Sequence, residues 1–436
     1  MVSEEAFTMR RTALRLVVTL LVVAGFVTPA RAQGPTNCST LGQNLFVRDV
    51  LNDLYFWYQH VPNVDAARFD SPEAYLDAVR YRPLDTTFSY IADRQSSEAF
   101  FSDSQFIGLG LSTSTSETSM RVLQVFPESP AQESGLARGD WIREINGRSV
   151  SDLIGTGAID SAFGPSTVGI ETDIAFENSR GQTVHAHMVK RLVSIPTVSL
   201  TRVYEADGRK IGYVFFRNFV EPSYDALDKA FAELRDARVN ELVLDLRYNG
   251  GGLVAVAQHL ASLIGGVVTD GQLFAEYFHN DRYTVLNRSL RFQPKANALA
   301  LQRLIVITTR GSASASELVI NALRPYMPVV VIGDRTYGKP VGQYVLPFCD
   351  KILAPVSFTL RNARGEGDFF DGFAPDCVAA DDVSRQLGDV QEASLGEALT
   401  FARSGRCSPQ ALTAQAMRSS PRARRAVGWQ SVVNAY

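Results

Sequence analysis

The chain has 436 residues, with 45% hydrophobic residues, 20% charged residues and a formal net charge of −3. That length predicts about three domains, and the composition is that of an ordinary globular protein with enough apolar residues to bury a core. The slightly acidic balance excludes nucleic acid as the main partner and leaves the substrate open.

Arg10, Arg11 and Arg15 form a positive n-region, residues 16–27 an apolar h-region too short to span a bilayer, and Ala30-Arg31-Ala32 a small-residue cleavage site. Residues 1–32 therefore read as a signal peptide, and the mature chain is expected in the periplasm or outside the cell. Glu4 and Glu5 fit an n-region poorly, so Met9 is a second possible start. An uncleaved anchor is the rival reading. No later stretch approaches the ~20 apolar residues of a membrane-spanning helix. Cys38, Cys349, Cys377 and Cys407 all follow the cleavage site. An even count in an exported chain predicts disulfides, with three pairings open. None has the CxxC spacing of a zinc or redox site, and a catalytic cysteine is the weaker alternative.

Residues 33–98 read as a small helical domain. Phe46, Val50, Leu51, Leu54, Tyr55 and Tyr58 recur near helical spacing, and Ser71-Pro72-Glu73 looks like an N-cap with Pro at the first helical position. The aromatic stripe is expected in the core rather than around a ligand.

Residues 99–192 are strand-rich. Gly108-Leu109-Gly110-Leu111 opens the unit, Met120 to Phe126 alternates, a short helix ends near Gly135, and Asn146-Gly147 marks a tight hairpin. His185 and His187 share a strand face, but two histidines without a third ligand are expected to be only exposed. This order of elements resembles a PDZ domain of the bacterial protease type. The resemblance implies that Ile107, Gly108, Leu109 and Gly110 turn backbone N–H groups toward a peptide's terminal carboxylate, with the peptide adding as an edge strand. A plain β-rich spacer is the alternative.

Residues 193–407 alternate strands and helices, which predicts an α/β core. Strands are expected at Ile211–Phe216, Glu241–Leu246, Leu304–Thr308 and Val329–Ile332, with Pro355–Leu360 at a sheet edge. Helices are expected from a Ser223 cap through Leu227, Phe231 and Leu234, over Val254–Leu263, and over Ser316–Tyr326. Residues 408–436 carry Arg418, Arg422, Arg424 and Arg425 among Ser and Pro and read as a disordered basic tail.

Three segments carry the chemistry. Leu244 to Gly252 ends a strand in three glycines, whose backbone can offer N–H groups to a developing oxyanion. Gly311 to Glu317 holds three serines at a helix start, where the next N–H and the helix dipole favour the same charge. Thr336-Tyr337-Gly338-Lys339 is followed by Gln343. A serine needs a nearby base, and a lysine becomes one when burial strips its water. The glycine turn lacks the ending of a P-loop and the spacing of a dinucleotide fingerprint.

A DLRxNxGG segment, an SASASE segment and a TYGKxxxQ segment, in that order behind a PDZ-like unit, resemble the carboxyl-terminal processing (tail-specific) protease family over residues 40–380. The resemblance implies a crotonase/Clp-like α/β protease core and a serine-type endopeptidase that needs no cofactor or metal. It implies polypeptide substrates taken through their C-termini. It selects Ser314 as nucleophile, Lys339 as base and Gln343 as the group orienting the lysine, with oxyanion donors at the Gly251-Gly252 pair, Gly251 foremost, and at Ala315. Pro340 and Gly250 depart from the family pattern without removing a reacting group. The residues alone leave Ser312 and Ser316 open as nucleophiles. Asp245 and Arg247 are expected to pair within the scaffold, and a Ser/His/Asp triad on His259 is the rival constellation. A non-catalytic peptide- or ligand-binding protein and a coenzyme A-dependent acyl-transfer enzyme or hydratase are the competing functions.

Overall fold

A computed structural model of the chain describes residues 34–206, 208–409 and 411. The expected signal peptide, residues 1–32, and most of the expected tail, residues 412–436, lie outside the described residues.

The alternating second half folds as an α/β core. Its six-stranded sheet runs Val198–Ala206, Arg209–Phe216, Glu241–Asp245, Leu304–Thr308, Val329–Gly333, Cys377–Val378. The first pair is antiparallel and the rest are parallel. Every residue of Leu304–Thr308 and Val329–Gly333 is buried, as a parallel sheet covered on both faces requires. Leu242, Leu244 and Val306 face helices Ser223–Asp236, Val254–Gly265 and Ala315–Leu323, while Val243, Ile305 and Ile307 face helix Ala393–Ser404. Asp245 is level with Ile307, and Thr308 with Gly333. The three glycine, serine and lysine segments therefore leave one end of the sheet side by side. That carboxyl end is where open parallel sheets bind ligands.

A second, antiparallel sheet runs Ser289–Arg291, Leu273–His279, Val356–Arg361, Val341–Gln343. Val356–Arg361 is thus an inner strand, not the edge expected for Pro355–Leu360. Pro355 stands just before the strand, so the ladder loses no donor. Helix Ser223–Asp236 likewise starts one residue early: Pro222 holds the cap position, and the Ser223 hydroxyl donates to the Asn218 carbonyl at 2.7 Å.

In the N-terminal region, the Ser71 hydroxyl caps helix Pro72–Val79 as expected. Phe46, Val50 and Leu51 of helix Thr40–Asp53 are buried against Phe348, Leu353 and Val356. The region also contributes a strand, Tyr90–Asp93, to a three-stranded sheet with Lys351–Ala354 and Leu346–Phe348. The disulfide Cys38–Cys349 closes the same seam. The PDZ-like unit has its own core and a sheet running Leu111–Thr115, Met120–Val125, Trp141–Ile145, Glu171–Glu177, Thr183–Val189. Asn146 (φ 50°) and Gly147 (φ 72°) make its predicted hairpin turn. The second disulfide, Cys377–Cys407, ties down the segment after helix Ala393–Ser404. The chain stays packed past residue 408: the Ser408 N–H donates to Glu397 at 2.9 Å, and Ala411 is buried.

Candidate active site

Ser314 stands immediately before helix Ala315–Leu323 with φ 57° and ψ −113°, a conformation a non-glycine residue adopts only where its surroundings force it. The neighbouring serines are committed to structure. Ser312 and Ser316 are fully buried, and their hydroxyls donate to the carbonyls of Leu246 (2.8 Å) and Asn249 (2.9 Å). Consecutive residues at a helix start point in different directions, so two serines staple the helix to the glycine segment and only Ser314 reaches the cavity described below.

The glycine segment is held by Asn249, whose amide group donates to the Phe216 carbonyl at 2.9 Å and whose backbone carbonyl accepts the Ala313 N–H at 3.0 Å. Gly251 (φ +101°) abuts the nucleophile segment; a Cβ there would lie 2.8 Å from both Ser314 Cβ and the Ala315 nitrogen. Gly252 (φ +140°) runs against Phe219, whose carbonyl a Cβ would meet at 2.1 Å. The expectation for Gly251 needs correction. Its N–H donates to Asn249 Oδ1 at 2.9 Å, and Gly251 does not line the cavity. Gly252 and Ala315 do line it, and among the described residues no hydrogen bond uses either N–H.

Lys339 is half-buried and Gln343 sits four residues on, at the end of strand Val341–Gln343. Ser314, Ala315, Gly252, Lys339 and Gln343 line one cavity of about 310 Å³. The rest of its wall is largely apolar: Leu253, Leu318, Val341, Phe358, Leu360 and Phe369, with Tyr277 and Tyr344. Glu221 is its one acidic residue. The Gln343 amide nitrogen donates to the Phe88 carbonyl at 2.6 Å, so this side chain also ties the cavity to the N-terminal region. Behind Tyr344, Asn287 Oδ1 accepts the backbone N–H of His279 (2.9 Å) and so must also accept from its Nδ1 (3.0 Å). The neutral ring then accepts the Tyr344 hydroxyl proton at Nε2, 2.9 Å away.

Sequence reasoning assigned no role to Glu317, which is fully buried on the helix. Its carboxylate accepts the N–H groups of Ser314 (2.9 Å), Gly338 (2.7 Å) and Lys339 (2.9 Å) and the hydroxyl of Thr336 (2.6 Å). Burial pushes the carboxyl above its usual range, while these donors pull the other way by stabilising the anion. The only signal in the sequence was its place three residues after a serine, the spacing of a capping box. Proline at 340 costs this arrangement nothing, because the donors come from residues 338 and 339.

The remaining expectations divide. Asp245 and Arg247 are buried and paired at 2.9 Å, and Arg247 also contacts Asp381 (3.0 Å) and Glu392 (2.8 Å). His259 Nε2 meets Asp228 at 2.9 Å, and neither residue lines the cavity, so no triad forms there. Ile107 and Gly108 pair with Leu192 and Arg191 in a two-stranded ribbon, and Leu109 is fully buried. Gly110 backs onto Ser129, and its carbonyl accepts the Phe126 N–H at 2.8 Å. The next strand, Leu111–Thr115, is one end of the sheet, with Leu111, Ser112 and Thr113 buried and Ser114 and Thr115 exposed. His187 meets Asp173 across a strand pair at 2.8 Å. Among the described residues the one group with metal-ligand geometry is Cys377, Glu397 and Cys407, and both cysteines are spent in the disulfide. No described helix is long and apolar enough to cross a membrane.

Three family models match parts of the chain. Residues 210–379 match the Peptidase family S41 model, residues 42–90 the Peptidase S41 N-terminal domain, and residues 121–159 a PDZ domain. The carboxy-terminal-processing protease of Bartonella bacilliformis is 28% identical over 250 residues, covering 56% of this chain and 54% of that protein. The carboxy-terminal processing protease CtpB of Bacillus subtilis is 27% identical over 270 residues, covering 61% and 54%. The chain thus spans about half the length of these curated relatives. A crystal structure of a putative S41 protease from Bacteroides fragilis superposes with a TM-score of 0.68 at 27% identity, covering 83% of this chain and 97% of that one. The chain is thus similar to peptidase family S41 over its N-terminal region and its α/β core, with a PDZ-domain match between them.

Proposed function

We propose that the chain is an exported serine endopeptidase that cleaves unfolded or C-terminally exposed polypeptides with a Ser314/Lys339 dyad. One observation carries the reading: a serine in a strained pre-helical conformation and a half-buried lysine line the same cavity, with their backbones held by one carboxylate. The similarity to processing proteases and the PDZ domain support polypeptide substrates. Export rests on the N-terminal sequence and on the disulfides, which persist in oxidising compartments.

In this reading an extended peptide lies in the cavity with its scissile carbonyl over Ser314. Neutral Lys339 takes the hydroxyl proton as Ser314 Oγ attacks the carbonyl carbon. The N–H groups of Gly252 and Ala315 hold the resulting oxyanion. Lys339 gives its proton to the leaving amine, the C–N bond breaks, and an acyl-enzyme remains. Lys339 then draws a proton from water, whose oxygen attacks the ester carbon, and returns it to Ser314 Oγ as the C–Oγ bond breaks, which frees the serine and the acid product. The apolar wall keeps bulk water from the amine.

Time-course mass spectrometry of a denatured protein mixed with the pure chain tests this. Ser314→Ala and Lys339→Ala are each expected to lower the rate by on the order of 10⁴-fold or more with melting temperature unchanged. Cleavage at the parent rate by Ser314→Ala would overturn the nucleophile, and by Lys339→Ala the base.

A further inference from the structure

We infer that Glu317 is a positioning residue that sets the register between nucleophile and base, an inference that rests on the Ser314/Lys339 reading. A single oxygen, Oε2, accepts both the Ser314 N–H and the Lys339 N–H, each at 2.9 Å. The other oxygen accepts the Gly338 N–H (2.7 Å) and the Thr336 hydroxyl (2.6 Å). The nucleophile and the base are far apart in the chain, yet their backbones meet on one carboxylate.

The protonation state follows from the partners. Backbone N–H groups can only donate. Thr336 Oγ1 accepts the Phe373 N–H at 2.7 Å and donates to Glu317 at 2.6 Å. Three of the four partners are backbone N–H groups that cannot accept a carboxylic proton, and together with the Thr336 hydroxyl they favour the carboxylate against the burial that raises its pKa. It also holds the N–H of Ser314, a residue with φ 57° that would otherwise relax toward an allowed region. Thr336 extends the clamp to the segment at Phe373.

The same group opposes the chemistry electrostatically. A buried negative charge close to Lys339 favours the ammonium over the amine that must act as base. The fold accepts this cost for the alignment. Glutamine at 317 separates the two effects. An amide presents one oxygen, so it can satisfy one pair of donors, and its NH₂ faces the other pair. The charged groups around the site are Lys339, Glu221 on the cavity wall, Arg310, which donates to the Thr336 carbonyl (3.2 Å), and Arg335, which donates to the Gly372 carbonyl (3.3 Å). All are unchanged in Glu317→Gln.

The test is the pH profile of peptide cleavage by the full chain and by Glu317→Gln, Glu317→Asp and Thr336→Val, with Ser314→Ala as control. For Glu317→Gln the expected result is a kcat lower by about 10²-fold, the scale of an ångström-sized misplacement, with KM within a few-fold. The acid limb of kcat/KM should move to lower pH. Thr336→Val, which keeps the charge, should lose activity without moving the limb. Glu317→Asp should keep the limb and recover part of kcat. If Glu317→Gln does not fold, the aspartate and valine variants carry the test through the same split. Parent kcat in Glu317→Gln, or a lowered kcat with an unmoved limb, would overturn the inference while an inactive Ser314→Ala leaves the dyad standing. Activity in Ser314→Ala would remove both.

Discussion

Two junctions flank the cavity, and they are built differently. Where the N-terminal region meets the core, Phe46, Val47 and Val50 share a cluster with Phe348, Leu353 and Val356, and the Cys38–Cys349 disulfide closes the seam. Where the PDZ domain meets the same core, an apolar cluster of Phe106, Phe126, Val193 and Val220 is joined by buried charged and polar groups. Arg138 donates to the Tyr248 hydroxyl (2.7 Å) and to Asp381 (3.0 Å), and core Arg217 donates to PDZ Gln124 (2.9 Å) and to the Tyr248 carbonyl. Both junctions reach the reacting segments: the first through Gln343 and Val341, the second through Tyr248, held at φ 66° just before Asn249. Apolar burial and a covalent link are non-directional and insensitive to charge. Polar contacts are directional, and their strength depends on ionisation and salt.

The largest expected effect is on the covalent seam. Cys38→Ser with Cys349→Ser opens a link between residues 311 apart in sequence. Chain entropy sets the loss at about 5–6 kcal/mol, against about 3–4 kcal/mol for removing Cys377–Cys407. Urea unfolding followed at N-terminal tryptophan Trp57 measures it; equal losses for the two bonds would contradict the loop-length argument.

Next comes a matched pair of substitutions. Leu353→Ala, at a fully buried site, should cost about 3 kcal/mol at any ionic strength. Arg138→Met strips a buried cation from its partners and should cost about 2 kcal/mol, below the figure for a wholly buried pair because Asp381 keeps 22% exposure. Its cost should shrink in high salt. Parallel salt dependence of the two would erase the distinction between the junctions.

The smallest effect is on pH. Burial alone would raise the Asp381 carboxyl, but Arg247 and then Arg138 outweigh it and hold the carboxyl below the usual range. A carboxyl depressed by folding stabilises the native state above its unfolded pKa, and that stability is lost as pH falls through the folded value. The PDZ junction should therefore loosen below about pH 4. Asp381→Asn should flatten the dependence, as read by melting temperature against pH.

How much of this was legible in the sequence depends on how local each feature is. Three segments with unusual residue types, at the ends of strongly apolar strands, located the cavity, because parallel strands deliver their C-terminal turns to one side. The Asn146-Gly147 turn and the Ser71 cap were legible because a few adjacent residues determine them. The Glu317 clamp was not, because its donors at Thr336, Gly338 and Lys339 belong to another loop. The same holds for Gly251: its φ fits an oxyanion loop, but only the fold shows that the Asn249 side chain has taken its N–H. The inner position of Val356–Arg361 and the disulfide pairing are likewise set by which strands meet, a long-range property.

The central claim is that Ser314 is activated by Lys339 and by no other group. Labelling with a serine-reactive fluorophosphonate, followed by peptide mass spectrometry, addresses it directly. A single adduct on Ser314 in the parent protein, with no adduct in a folded Lys339→Ala protein, is the predicted result. An adduct on Ser312 or Ser316, or parent-rate labelling without Lys339, would contradict it.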